Sequence, residues 1–419
     1  MSVYSDDEIV LNEKLSIKNG NYALVGISIV SNFAALFAID ALHSTSEEVA
    51  MLNALPALMS IIATWAGAVW LAKVPSKKMF CVRATFVARM FYLLIAMLPF
   101  VVHGPALALL VVLAIAVMNF PASFSALSWQ SLIGDLIPEN RRADFFGRRN
   151  RATTFVGMLS TLVPGLVLQR FPVSSIAPYQ VFFSLGFFFS LLEVYYLFRH
   201  KERMDKRPDM AAPALFHPRQ FVTFLHRAPY RMFLIGSIIF NLGWQMAWPL
   251  YSIYQIQDAS ATALWVSSFT VANQISQIIT FKFWGRLSER YGNTMMLAIA
   301  CLGMAIAPVL TILSKNLPYL IFTNLATGTF VAGITLLQFN HLLEVSPESQ
   351  RTSYIAHFNI VIGLVGFVAP QVGVLLLHIF HMGLSMTLSS VVRAGGTVFF
   401  LYMFFHARRA KLQDSVITS

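Results

Sequence analysis

The chain alternates between long apolar runs and short polar breaks, and the runs set its architecture. Crossing a bilayer takes about 20 mostly apolar residues, and such runs recur throughout the sequence. Their limits predict helices over 19–42, 47–73, 79–102, 105–135, 152–170, 177–198, 230–256, 261–285, 294–313, 317–343, 354–380 and 383–406. The third and eighth runs are the least clean. The pattern predicts an all-α integral membrane protein of twelve transmembrane helices. It divides into an N-terminal six-helix bundle (1–198), a cytoplasmic central loop (199–229) and a C-terminal six-helix bundle (230–419).

The halves share short segments at one offset. Asp135-Leu-Ile-Pro138-Glu139-Asn-Arg-Arg142 returns 209 positions later as Glu344-Val-Ser-Pro347-Glu348-Ser-Gln-Arg351. At that offset Gly157 meets Gly366, Val163 meets Val372, and Ser28 to Asn32 meets Ser237 to Asn241. A single register through so many helices predicts two parallel repeats, an architecture found in transporters.

Composition sharpens this picture. Hydrophobic residues make up 57% of the chain and charged residues 12%, against about 25% charged in a soluble protein. The net charge of +11 is concentrated in alternate loops. Lys73, Lys77, Lys78 and Arg83 follow the second run, Arg141 to Arg151 the fourth, and Arg199 to Arg227 fill the centre. The opposite loops hold only Arg170 and Lys315. This is the positive-inside distribution, so both termini are expected in the cytoplasm and the protein in the plasma (inner) membrane. The excess therefore sets topology and implies no nucleic acid. The first run is too long for a signal's apolar core, and Cys81 and Cys301 have no metal-type spacing. Neither a metal nor a cofactor is expected. The segment 216–227 has the pattern of either a short amphipathic helix on the inner leaflet or a solvated loop.

After the eighth run the chain reads Trp284-Gly285-Arg286-Leu287-Ser288-Glu289-Arg290-Tyr291-Gly292. This resembles the G-x-L-[SA]-[DE]-R-x-G loop of the major facilitator superfamily (MFS). Helix count and the six-plus-six repeat extend the likeness over the whole chain. The resemblance implies a gating role for Gly285, Arg286, Glu289 and Arg290, with Asp135 and Arg142 in the repeated segment. Gly285 allows close helix approach, Glu289 accepts charge-assisted hydrogen bonds, and Gly292 suits a tight turn. The loop after the second run, Trp70 to Lys78, has no acidic residue, so a symmetric pair of acidic latches is not expected.

In that superfamily helices 1, 4, 7 and 10 line the cavity. The resemblance therefore makes Asn32, Asn119, Asn241, Gln245, Trp248, Asn324 and Gln338 the substrate-binding candidates. Asn32 and Asn241 both fall near mid-membrane at 1.5 Å per residue, and as repeat partners they are expected to face each other. Asn241, Gln245 and Trp248 share a helix face by their spacing. For each amide, helix–helix bonding is the competing role. Arg89, Glu193 and Arg393 are intramembrane charges that need partners, and Asp40 is the candidate carrier of a coupling proton.

The expected function is secondary active transport of a small organic solute by alternating access, as proton-coupled efflux of amphipathic compounds. The alternatives are uptake of a sugar-like or other polar nutrient, or a non-transporting receptor or assembly protein. No H-E-x-x-H, G-x-S-x-G or phosphate-binding loop is present, so neither an enzyme nor ATP hydrolysis is expected. The expected partners are a small-molecule substrate, the lipid bilayer and protons.

Overall fold

The computed structural model describes residues 5–202, 224–347 and 351–417. Within them the chain is helical, with twelve long helices: α1 (Asp6–Leu36), α2 (Ser46–Lys73), α3 (Lys77–Val101), α4 (Pro105–Leu136), α5 (Glu139–Leu168), α6 (Ala177–Phe198), α7 (Ala228–Ile253), α8 (Ala263–Tyr291), α9 (Asn293–Ile312), α10 (Leu317–Val345), α11 (Arg351–Ile379) and α12 (Met382–Ile417). Eleven of these contain a stretch long and apolar enough to cross a membrane. Most of the segment 216–227, expected as an amphipathic helix or a solvated loop, lies outside the described residues; Phe224–His226 forms one 3₁₀ turn.

Local signals start the helices. Ser5 with Glu8 and Thr45 with Glu48 form capping boxes at α1 and α2, satisfying N–H groups that have no partner in the first turn. Proline occupies the first turn of α4, α6, α7 and α10, where its missing N–H costs nothing. Prolines inside helices, such as Pro121, Pro249 and Pro370, are tolerated in membrane proteins because neighbours satisfy the freed carbonyls.

Two compact units result, Met1–Ala214 with Ala261–Ser267, and Leu215–Ser260 with Ser268–Ser419. In the first, α1 packs on α5 and α6, α3 on α4 and α6, and α2 on α4. In the second, α7 packs on α11 and α12, and α9 on α10 and α12. The remaining equivalent pair, α8 with α10, is held by side chains. Asn273 Nδ2 donates to the Asn324 carbonyl at 3.1 Å, Ser276 meets Thr329 at 2.7 Å, and Trp284 Nε1 donates to the Thr329 carbonyl at 2.7 Å. Polar groups of this kind leave α8 without a stretch apolar enough to cross a membrane by composition alone.

The repeat is real, but its register is not uniform. α1 and α7 both end in a π turn, Phe37–Ala41 and Tyr254–Asp258. Each turn is followed by a residue with positive φ, His43 (54°) and Ser260 (53°). Gly26 and Gly243 are the matching close approaches: a methyl on Gly26 would lie 3.0 Å from the Gly186 carbonyl of α6, and one on Gly243 2.8 Å from the Arg393 amide of α12. All of these pairs are 217 residues apart. The 209 offset holds at the ends of α4 and α10. The difference arises between them, because α9 has 20 residues against 25 in α3, and α10 has 29 against 32 in α4. The expected equivalence of Asn32 and Asn241 is therefore wrong by eight residues, about 12 Å along a helix.

Candidate functional site

The amides expected to line a cavity fall into two groups. Asn32 spends its amide on a neighbouring helix, donating from Nδ2 to Thr161 Oγ1 of α5 at 2.7 Å. This is a helix tie of the kind that stabilises membrane bundles. The others bond along their own helices. Asn119 Nδ2 donates to the Ile115 carbonyl at 2.7 Å and Asn324 Nδ2 to the Leu320 carbonyl at 2.8 Å. On α7, Asn241 and Gln245 are buried. Asn241 Nδ2 donates to the Ser237 carbonyl at 2.9 Å, and Gln245 Nε2 donates to Asn241 Oδ1 at 3.3 Å. The Gln245 carbonyl also lacks its usual helical donor, since Pro249 has no N–H. The Trp244 and Trp248 rings stand edge to face beside them, 6.3 Å apart. On α10, Gln338 Nε2 is buried without a hydrogen-bond partner among the described residues.

The intramembrane charges resolve differently. Glu193 of α6 accepts from Arg89 Nε at 2.8 Å and from its second terminal nitrogen at 3.1 Å. Tyr92 accepts from the remaining guanidinium nitrogen at 2.6 Å, and Asn19 of α1 donates to the Glu193 carbonyl at 2.9 Å. Every charged atom of this pair is engaged within the first unit. Arg393 is fully buried and has no carboxylate partner among the described residues. It donates to three backbone carbonyls instead: Gly243 (3.2 Å) and Trp244 (3.4 Å) of α7, and Met304 (2.8 Å) of α9. Asp40 lies in the π turn after α1, lining a small cavity with Leu36, Leu168 and Tyr179.

At the basic end of each unit, acidic residues bind helix starts. Asp135, ending α4, pairs with Lys77, the first residue of α3, at 2.6 Å. Its repeat partner Glu344, ending α10, accepts from Asn293, the first residue of α9, and pairs with His341 at 2.9 Å. The acid missing from the loop after α2 is supplied from elsewhere. Glu202 accepts from the Ser76 hydroxyl and from the backbone N–H groups of Lys77 (2.9 Å) and Lys78 (3.2 Å), a carboxylate on the positive end of α3. Glu13, buried on α1, pairs with Arg141 at 3.0 Å and Arg148 at 2.7 Å. Helical spacing gave no signal for Glu13 or Glu202, because their partners lie far away in the chain.

The expected gate is less engaged. Arg286, Glu289 and Arg290 are exposed, and neither Arg286 nor Arg290 pairs with Glu289 among the described residues. Gly285 is open: a methyl placed on it would meet only Leu336, at 3.9 Å. Gly292 has the expected positive φ, 84°. The Arg142 side chain and Glu348 lie outside the described residues. One further cation was read from sequence only as a topology charge. The Arg149 guanidinium lies 4.2 Å from the Trp129 ring centroid, and its Nε, like Trp129 Nε1, is buried without a hydrogen-bond partner among the described residues.

A model of the Major Facilitator Superfamily matches residues 233–416. No curated protein matches the sequence. Among solved structures, a point mutant of the nucleoside transporter NupG is similar at 12% identity and a TM-score of 0.75, over 93% of this chain and 100% of that one. NupG itself gives 13% and 0.70, over 95% and 99%. A POT family transporter in complex with a thioalcohol-conjugated peptide gives 11% and 0.68, over 96% of both. At such identities these likenesses speak for the fold. With the family model matched over most of the second half, they show a multi-pass membrane protein with the fold of the major facilitator superfamily along the whole chain.

Proposed function

We propose that the protein carries a small organic solute by alternating access, driven by a gradient, and that it exports amphipathic compounds. The observation that carries this reading is the run on α7. There, two buried amides bond along their own helix, beside two indoles and a Gln245 carbonyl to which Pro249 offers no helical N–H. Unspent hydrogen-bonding groups next to aromatic surface suit a flat organic ligand with polar edges. Asp40 is the residue we assign to a coupling proton. The basic loops support a plasma-membrane protein with both termini cytoplasmic.

A second reading, uptake of a polar solute, is favoured by Arg149 over Trp129 and by the substrates named for the similar structures, nucleosides and a peptide. A thermal-shift screen of the purified protein against nucleosides, peptides and amphipathic cations identifies ligands, and proteoliposome flux with and without a pH gradient gives direction and coupling. Asn241→Ala and Gln245→Ala are each expected to weaken the selected ligand about tenfold, the loss of one to two hydrogen bonds. Unchanged affinity in both variants rejects the assignment of α7. Asp40→Asn is expected to abolish the response to the pH gradient, and an intact response removes Asp40 as the carrier. A stabilising ligand with no flux in either direction supports a receptor.

A further inference from the structure

A groove of about 440 Å³ runs between the first turns of α1 and the end of α6 in the first unit. On α1, Leu11, Leu15 and the cations Lys14 and Lys18 face it; on α6 it is closed by Tyr195, Tyr196 and Arg199. The α1 positions 11, 14, 15 and 18 follow the spacing of one helix face. No carboxylate is among the lining residues. The nearest acid on α1, Glu13, is buried and paired with Arg141 and Arg148 of α5. Lys14, Lys18 and Arg199 form no ion pair among the described residues. Instead, Lys18 Nζ lies 5.4 Å from the Tyr196 ring centroid, and Arg199 donates to the Tyr195 hydroxyl at 3.2 Å.

The groove sits at one level of the bilayer. α6 is apolar enough to cross a membrane from Ala177 to Phe198, so Arg199 is the first residue beyond the hydrocarbon. Tyrosines at this boundary are the usual aromatic belt, with rings in the interface and hydroxyls in the headgroups. Toward the membrane interior, the exposed face of α6 continues as Leu192, Phe188 and Leu185, four and three residues apart. An apolar track therefore ends in three cations that form no ion pair among the described residues.

We infer that this groove binds the headgroup of an anionic phospholipid, whose chains lie along the exposed face of α6. The cations supply charge for a phosphate, the tyrosines supply donors at the glycerol level, and the track covers the acyl chains. A soluble phosphate would use the cations but leave the apolar track without an occupant.

The test is native mass spectrometry of the full chain in detergent, titrated with phosphatidylglycerol or phosphatidylcholine at matched concentrations. The protein is expected to retain phosphatidylglycerol at least tenfold more strongly. The variant carrying Lys14→Gln, Lys18→Gln and Arg199→Gln is expected to lose this preference, at roughly fivefold per cation, with an unchanged melting temperature in phosphatidylcholine. Lys18→Gln alone, at an exposed position, gives the same direction if the triple variant folds poorly. Equal retention of both lipids by the parent protein, or an undiminished preference in the variants, overturns the inference. Displacement of the lipid by millimolar inorganic phosphate overturns it as well, in favour of a soluble anion.

Discussion

The guanidinium of Arg89 on α3 and the carboxylate of Glu193 on α6 meet fork to fork, with contacts of 2.8 and 3.1 Å inside the first unit. Tyr92 closes the remaining side of the guanidinium. A buried pair of this kind is costly to break and cheap to replace, because the penalty lies in leaving one charge without the other. Glu193→Gln is therefore expected to destabilise the protein by about 3–5 kcal/mol. The double variant Arg89→Met with Glu193→Leu is expected to recover most of that loss. Melting curves of the three proteins in one detergent check this; a double variant as unstable as the single one means that the pair does more than neutralise itself.

Close helix approach gives a prediction with an internal control. A methyl at Gly26 or Gly243 meets a neighbouring helix at 3.0 Å or less, whereas one at Gly134 meets nothing within 4 Å. Gly26→Ala and Gly243→Ala are each expected to cost about 1–3 kcal/mol as overpacking. Gly134→Ala is expected to be neutral or stabilising by about 0.5–1 kcal/mol. Size-exclusion yield after a heating series separates the two behaviours.

His200 provides a pH dependence. Its ring is buried just past the end of α6, with Nδ1 donating to the Tyr196 and Leu197 carbonyls at 3.0 and 3.1 Å. Burial, together with Lys78 and Arg149, pushes its pKa from 6.5 down to about 4. The folded state holds the ring neutral where the unfolded state takes up a proton, so the stabilisation is complete above about 6.5 and declines as pH falls toward 4. Melting temperature is expected to fall through that window, and His200→Gln is expected to flatten the slope. A slope unchanged by the substitution assigns the effect to other groups.

The gating loop separates stability from transport. Glu289 is exposed, so Glu289→Gln is expected to shift stability by less than about 1 kcal/mol. If this loop latches another conformation of the transport cycle, the same variant slows flux several-fold at unchanged ligand affinity. Equal flux removes the gate.

Much of the fold was legible because the bilayer leaves few choices: each crossing must be a long apolar helix. The site was less legible. Asn32 and Asn241 matched in sequence at the 209 offset, yet π turns and close approaches align α1 with α7 at 217. Side-chain identity over five residues is a weak constraint, whereas a close helix crossing at Gly26 or Gly243 is a strong one. Glu202 was invisible for another reason. It caps a helix that begins 125 residues earlier in the chain, and no local pattern records such a contact. Arg149 looked like one more topology charge until its position over Trp129 was known.

Arg393 has a mechanical consequence. Its guanidinium is held by backbone carbonyls of α7 and α9, acceptors that no change of protonation removes. Sliding α12 by one turn past either neighbour would strip several charged hydrogen bonds together, at a depth that solvent does not reach. The three helices should therefore travel as one piece whenever the protein changes shape. Whatever flexing the cycle demands must come from segments that this residue does not touch.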